Sequence, residues 1–261
     1  MTRLLAAVLL LLVPAGGLTA EEARPSRPLA VVELFTSQGC TSCPPADALL
    51  AELARSDDVV ALAYHVDYWD YLGWQDTLAN ADNTARQYEY SNVFGSRSVY
   101  TPQAVVNGRL HVNGADRAAL DGAIEEASGA GALPVEVELS YEGDTVVIET
   151  GAGRVPGGEA HVMLVYFNPA TEVEITRGRN KGRSFTFWNS VSRFHSAGVW
   201  HGRAARFEMP MSEFVKHGAE GCAVLIQATT RDGMPGKILG AAILRKPNPS
   251  KRRSRSITPP A

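Results

Sequence analysis

The chain has 261 residues, of which 45% are apolar, so its length suits one large domain or two smaller ones, and its composition excludes wholesale disorder. The net charge of −3 conceals an uneven distribution. Between Glu21 and Leu244 the chain carries 18 basic and 28 acidic residues, a net charge of −10, which argues against a body that grips nucleic acid or an anionic membrane.

The first twenty residues have the layout of a signal peptide. A single arginine, Arg3, precedes an apolar run at residues 4–13, and a Pro/Gly break with small residues follows. Ten apolar residues rise about 15 Å as a helix, about half the hydrocarbon thickness of a bilayer. The sequence therefore predicts cleavage of residues 1–20 and a periplasmic or secreted protein with no stable membrane anchor after cleavage. In that compartment a disulfide persists.

Two of the three cysteines form a Cys-x-x-Cys motif between a predicted strand and a predicted helix. The run LAVVELF at residues 29–35 indicates a buried strand, and a helix with leucines on one face begins near Ala46. Cys40 then lies in the loop and Cys43 at the helix start, where unpaired N–H groups and the helix dipole stabilise a thiolate. We expect an exposed Cys40 to be the nucleophile and Cys43 to be the resolving thiol.

The elements that follow extend this unit. VVALAYHV at residues 59–66 indicates a second strand, and Cys-x-x-Cys within a strand-helix-strand unit is typical of a thioredoxin-like redox motif. Farther on, residues 103–106 and 109–112 form a predicted hairpin about Asn107-Gly108, and residues 116–127 a predicted helix.

This order of elements resembles the thioredoxin fold. In that fold a cis proline faces the Cys-x-x-Cys motif, and the residue before it offers backbone groups to an extended substrate. The resemblance implies these roles for Pro102 and Thr101. Three blocks, ELFTSQGCTSCPPAD, HVDYWDYLGW and YTPQAVVNG, resemble a family of secreted bacterial proteins with a thioredoxin-like domain and no established activity. The resemblance covers roughly residues 31–114 and implies a fold and an export route, but no substrate.

The chain departs from thioredoxin in two ways. Thr41 and Ser42 separate the cysteines, and an insertion rich in aromatic residues, at about residues 68–100, precedes Pro102. A helix is predicted at residues 80–90. The aromatic side chains either pack as a small satellite core or line a groove that receives a partner. They are Tyr68, Trp69, Tyr71, Trp74, Tyr88, Tyr90 and Phe94.

Three ionisable residues lie on the predicted strands or at their ends. His65 and Asp67 are alternate residues at the end of the second strand, where either one exchanges protons with Cys43 or tunes its pKa, or both serve only structural roles. In the structural alternative His65 is a satisfied, partly buried histidine and Asp67 caps the following turn. Glu33 lies inside an apolar strand, so its carboxylate is either exposed at an edge or paired.

The second half has the pattern of an all-β domain. From Pro134 onward, short runs with alternation or β-branched residues are separated by turns, and small residues at 128–133 mark a boundary. The predicted fold is an α/β thioredoxin-like domain at residues 28–130 followed by an antiparallel β-sandwich-like domain at residues 134–245. The predicted strands are PVEVEL, DTVVIET, AHVMLVYF, TEVEITR, RSFTFW, ARFEM, CAVLIQAT and ILGAAIL.

Three further features belong to this half. The basic run RGRNKGR at residues 177–183 is either a solvated hairpin loop or a contact for an anion or an acidic partner. Cys222 begins an apolar run and is predicted to be an inert buried thiol. Residues 246–261 are basic and rich in proline and serine, which predicts a disordered tail.

These observations leave three functions open. The first is an exported thiol-disulfide oxidoreductase that uses Cys40 and Cys43, needs no cofactor, and acts on protein thiols or disulfides of the cell envelope. The second is a copper-binding or copper-delivery protein in which the same cysteines and His65 hold Cu(I). The third is a non-catalytic binding protein whose cysteines form a structural disulfide.

Overall fold

The structure is a computed structural model that describes residues 27–56, 58–129, 132–216 and 218–245. The predicted signal peptide at residues 1–20 and the predicted basic tail at residues 246–261 lie outside the described residues. Among the helices of the described residues, none has the length and apolar character needed to cross a membrane.

The first half alternates strands and helices. In chain order the elements are β1 (Ala30–Thr36), α1 (Pro44–Leu53), β2 (Val59–His65), α2 (Ala81–Val93), β3 (Gln103–Val106), β4 (Leu110–Asn113) and α3 (Arg117–Gly129). β1 pairs with β2 in parallel and with β3 in antiparallel fashion, and β3 pairs with β4. The elements predicted for this region are confirmed, with ends that shift by a few residues.

Local signals account for the helix starts. Pro44 occupies the first turn of α1, where its missing N–H costs no helical hydrogen bond. Asn80 caps α2, because its side chain accepts a hydrogen bond from the backbone N–H of Asn83. The turn between β3 and β4 uses Asn107 and Gly108, both with positive φ, as the hairpin signal requires.

The second half consists almost entirely of strands. They are β5 (Val137–Glu142), β6 (Thr145–Thr150), β7 (Ala160–Ile175), β8 (Arg183–Trp200), β9 (Ala205–Pro210), β10 (Gly221–Thr229) and β11 (Pro235–Arg245), with the short helix α4 (Ser212–Lys216) after β9. β5, β6 and β9 form a three-stranded sheet, and the other strands join an eight-stranded sheet in the order β11-β10-β7-β8-β2-β1-β3-β4.

β7 and β8 form a hairpin much longer than the sequence pattern predicts. AHVMLVYF and TEVEITR are predicted as separate strands, but β7 contains the first and continues through the second as far as Ile175. The intervening Pro169 has the character of a turn residue, yet it is accommodated opposite Asn189, which has φ 46 and lies where the ladder skips a pair. The loop of this hairpin, residues 176–182, is called the hairpin loop below.

The eight-stranded sheet joins the two halves of the chain. β8 runs parallel to β2, with Ala63 opposite Ser190, and the Asn189 side chain donates a hydrogen bond of 2.8 Å to the backbone oxygen of Ala61. Strands predicted for two domains therefore share one sheet, because the long β8 covers the edge of β2. The division of the chain into two domains stays a prediction.

Three apolar clusters stabilise this arrangement. β1 is buried on both faces: Val32 and Leu34 pack toward α1 and α3, whereas Val31 and Phe35 pack on the opposite face with residues of β2, β7 and β10. The third cluster lies between the three-stranded sheet and strands β7 and β10. Because β1 is held from both faces, the loop after it, which carries the cysteines, begins from a fixed point.

Candidate functional site

The two cysteines of the motif form a disulfide at the start of α1. Cys43 is the N-cap residue, and its backbone oxygen accepts hydrogen bonds from the N–H groups of Ala46 and Asp47. Cys40 is only 2% exposed and Cys43 is 0% exposed. The expectation of an exposed Cys40 is therefore wrong for this oxidised state, because another part of the chain covers the loop.

That cover is the hairpin loop. The buried side chain of Asn180 donates hydrogen bonds to the backbone oxygens of Gln38, at 2.8 Å, and Cys40, at 3.0 Å. Arg183 in turn donates to the Asn180 side-chain oxygen at 3.0 Å. The hairpin loop is thus bound to residues 37–43, called the cysteine turn below. The Asn180 side chain makes this connection, because its nitrogen donates to the turn and its oxygen accepts from Arg183.

A second segment, residues 73–79, fixes the other side of the cysteine turn. The backbone N–H of Gln38 donates to Asp76 at 2.7 Å, and the Gln38 side-chain oxygen accepts from Trp74 at 2.8 Å and from the backbone N–H of Thr77 at 3.2 Å. Gly178 of the hairpin loop has φ 72, and a Cβ there would lie 2.9 Å from the Trp74 Cβ. Only glycine fits this contact between the two segments.

Three ionisable side chains lie near the start of α1, of which His65 and Asp76 are buried and Asp47 is half-buried. His65, predicted from the end of β2, has its Nδ1 2.9 Å from Asp76, the same carboxylate that binds the Gln38 N–H. Asp47 follows Cys43 by one helical turn and accepts a hydrogen bond of 2.7 Å from Thr36. The spacing of four residues puts Asp47 and Cys43 on one face of α1.

Burial and mutual charge shift the pKa values of these groups. Burial raises the pKa of Asp47 to about 6, against the opposing influence of His65 and the Thr36 hydrogen bond. Burial lowers the pKa of His65, but the charge and hydrogen bond of Asp76 outweigh burial and raise it overall. Burial raises the pKa of Asp76, but His65 and the hydrogen bonds to the carboxylate hold it below its usual value. The proton of Asp47 is therefore exchanged near pH 6, closer to neutrality than that of an ordinary aspartate.

The remaining predicted site residues take different positions. Asp67 does not join the cluster: its carboxylate accepts a hydrogen bond of 2.7 Å from Thr84 and ties β2 to α2. The Thr101–Pro102 peptide bond is cis, as the resemblance implies. Trp69 connects this bond to the cysteine turn, because its Nε1 donates to the Thr101 hydroxyl at 2.8 Å and its Cβ lies against Gly39.

The aromatic insertion contributes both packing and polar contacts. Tyr90 is part of the main core, and Tyr68, Trp69 and Phe94 pack against it, whereas Tyr71 is exposed. Tyr88 is exposed as well, and Trp74 binds Gln38. Packing therefore accounts for most of these rings, whereas Trp69 and Trp74 contact residues of the cysteine turn.

Glu33, the carboxylate within β1, is paired. Arg86 of α2 donates to it at 2.8 Å, and the Tyr90 hydroxyl donates to its other oxygen. Arg86 also donates to Gln227 of β10 at 2.9 Å and stacks over the Tyr64 ring. This network connects β1, α2 and β10 inside the core and includes neither cysteine of the motif.

Sequence reasoning missed three residues of the site. Asp47 carried a usable signal, since it follows Cys43 by four residues on a predicted helix. Asp76 and Asn180 carried none, because each lies in a loop far along the chain from the group that it binds. Cys222, by contrast, is the buried thiol that was predicted, and burial raises its pKa to about 12.

The part of the chain that the structure describes contains no group of three or more His, Cys, Asp or Glu side chains arranged to hold a metal ion. The Nδ1 atom of His65, one of the expected Cu(I) ligands, is bound to Asp76. The copper alternative stays a prediction.

Asp47→Asn is expected to stabilise the fold relative to the unchanged protein at pH 8, but not at pH 4. The folded-state pKa lies above the ordinary value, so the stability that a protonated Asp47 contributes is full below about pH 4 and is lost as the pH rises through about 6. Asparagine stays neutral and still accepts the Thr36 hydrogen bond.

Urea unfolding of Asp47→Asn should therefore show a gain of at most about 3 kcal/mol at pH 8 that vanishes by pH 4. The exposed Asp121 of α3 supplies the control, since Asp121→Asn should change the free energy of unfolding by less than about 0.5 kcal/mol at either pH. A pH-independent effect at Asp47 would contradict the shifted pKa.

The fold and the site together define a mixed α/β protein with a disulfide at a helix N-terminus, covered by a β-hairpin loop. The family described as "Protein of unknown function (DUF1223)" matches residues 31–227, and the chain belongs to this family. No curated protein matches the chain.

Two solved structures resemble the chain. A crystal structure of a protein from Agrobacterium tumefaciens is 43% identical, with a TM-score of 0.77, and the match covers 84% of this chain and 95% of that one. The structure of HBP35 of Porphyromonas gingivalis is 14% identical, with a TM-score of 0.59, and the match covers 84% of this chain and 76% of that one. At this identity the second resemblance concerns the fold alone.

Proposed function

We propose that the protein is an exported thiol-disulfide oxidoreductase with a thioredoxin-like first half, which exchanges disulfides with protein partners in the cell envelope. One observation carries the proposal: the Cys40–Cys43 disulfide lies at the N-terminus of α1, and Asp47, one turn farther along α1, forms a cluster with the buried His65 and Asp76. A disulfide that only holds a loop needs no titratable groups beneath it, whereas a dithiol that gains and loses protons does.

The chemistry follows from this placement. A partner thiolate attacks one sulfur of the disulfide, a mixed disulfide forms, and the other cysteine leaves as a thiolate that the N-terminus of α1 stabilises. A second thiolate of the partner then releases the reduced protein and an oxidised partner. Asp47 and His65 supply or accept the protons of the two thiols. The same steps run in reverse when the protein donates electrons.

The reduction potential of the Cys40–Cys43 pair tests the proposal. The protein is equilibrated with glutathione buffers, and the free thiols are trapped and counted. We expect a potential roughly between −120 and −270 mV, the range of exchange proteins. Cys40→Ser should abolish reduction of insulin disulfides, whereas the control Cys222→Ala should keep it, because Cys222 is buried in β10 away from the motif.

A second candidate function rests on the burial of both cysteines, at 2% and 0% exposure. In this alternative the disulfide is structural and the protein is a non-catalytic binding protein. A reduction potential below about −300 mV, together with insulin reduction by the unchanged protein that is no faster than that by Cys40→Ser, would support this alternative and overturn the first.

A further inference from the structure

The cysteine turn is bordered by four positive side chains of the hairpin loop and its first following residue. Arg177, Arg179, Lys181 and Arg183 are all exposed, while Asn180 between them is buried against the turn. Within the described residues no carboxylate forms an ion pair with any of the four. Their charge is therefore free to act on a partner that approaches the disulfide.

The hairpin loop is held in place. Asn180 fixes it to the cysteine turn, and Gly178 packs on Trp74 at a distance that excludes a Cβ. Within the loop, the backbone N–H of Gly182 donates to Ile175 at 2.7 Å. The positive groups thus project from a fixed base, which reduces the conformational entropy lost when a partner binds.

A cleft of about 680 Å³ lies where the hairpin loop meets the segment 73–79. Arg177 and Thr176 form one wall, and Trp74 and Thr77 form part of the other. Asp76 also faces the cleft, but its charge is already engaged by His65 and by the backbone N–H groups of Gln38 and Leu78. The unpaired charge at the rim is therefore that of Arg177.

We infer that the hairpin loop and the cleft beside it recognise an acidic polypeptide segment that carries the reacting thiol or disulfide. This inference rests on the proposed function. The contrast with the rest of the molecule supports it, since residues 21–244 carry a net charge of −10 and would repel such a segment elsewhere. A partner with negative residues beside its cysteine is therefore drawn to the positive hairpin loop, which touches the cysteine turn.

The experiment compares two peptides with one central cysteine, flanked on each side by two glutamates or by two lysines. Each peptide thiolate attacks the Cys40–Cys43 disulfide to give a mixed disulfide, and a second peptide thiolate releases the reduced protein and the oxidised peptide. Rates are divided by the rates with bis(2-hydroxyethyl) disulfide, a neutral reference that removes differences in peptide reactivity.

We expect the glutamate peptide to reduce the protein about tenfold faster than the lysine peptide at 10 mM salt, after this correction, and the preference to vanish near 0.5 M salt. The triple variant Arg177→Gln, Arg179→Gln and Lys181→Gln should lose the preference while it keeps Asn180 and Arg183. The matched control removes three exposed cations of other loops, Arg154→Gln, Arg203→Gln and Arg231→Gln, and should keep it.

Three results would count against the inference. Equal corrected rates for the two peptides would overturn it and leave the proposed function intact. A preference that the control variant also loses would assign the effect to overall charge and would overturn it too. If neither peptide reduces the disulfide, both the proposed function and the inference fail.

Discussion

Arg86→Ala is expected to lower the free energy of unfolding by about 3–5 kcal/mol, the largest effect of any single substitution considered. Arg86 is 3% exposed, and its removal leaves the carboxylate of Glu33 buried in β1 without a counter-charge. The variant also loses the hydrogen bond to Gln227 and the stacking over Tyr64. Urea unfolding at pH 7 measures the difference.

Arg206→Ala is the matched control. Arg206 forms ion pairs with Glu142, Glu149 and Glu208, but its side chain is 41% exposed and solvent screens these pairs, so its removal should cost far less than that of Arg86. The double variant Glu33→Gln with Arg86→Met keeps the volume and removes both charges, and should recover most of the lost stability. A cost for Arg86→Ala as small as that of the control would refute the buried pair as a stabilising contact.

Asn180→Ala is expected to accelerate reduction of the disulfide by dithiothreitol about tenfold to thirtyfold. The substitution removes the two hydrogen bonds that hold the hairpin loop on Gln38 and Cys40. At about 1 kcal/mol for each bond, the equilibrium between the covered and uncovered turn shifts by one order of magnitude or slightly more. Trapping of free thiols with an alkylating reagent at timed intervals gives the rate.

Asn113→Ala provides the comparison, because it removes an exposed amide at the end of β4 and should leave the rate of reduction unchanged. The melting temperatures of both variants show whether the fold persists. A rate for Asn180→Ala equal to that of the unchanged protein would mean that reductant reaches the sulfurs without displacement of the hairpin loop.

Much of the first half follows from local sequence patterns. The apolar runs, the proline of the first helical turn and the Asn107-Gly108 turn predict β1, α1, β2 and the β3–β4 hairpin, and the structure contains them. The position of Cys43 at a helix start follows from the same signals. Interactions between residues close in the sequence determine each of these features, so a reading of short segments suffices.

The features that sequence reasoning missed depend on contacts between distant residues. Asn180 binds Cys40 across 140 positions, and Arg86 binds Glu33 across 53 positions. A composition-based reading also ended β7 too early, because Pro169 has the character of a turn residue, and only the backbone of Asn189 opposite shows how the strand accommodates it. The residue pattern within one segment does not indicate which distant segment it will contact.

The hydrogen bond between Asn180 and the Cys40 backbone also has a consequence for the order of folding. It joins residues 140 positions apart, whereas the strand-helix-strand unit that carries the cysteines consists of segments close in the sequence. Contacts between distant residues tend to form late, because the chain between them must first be closed into a loop. An oxidant in the compartment where the protein folds therefore meets an open dithiol first, and the hairpin encloses it afterwards.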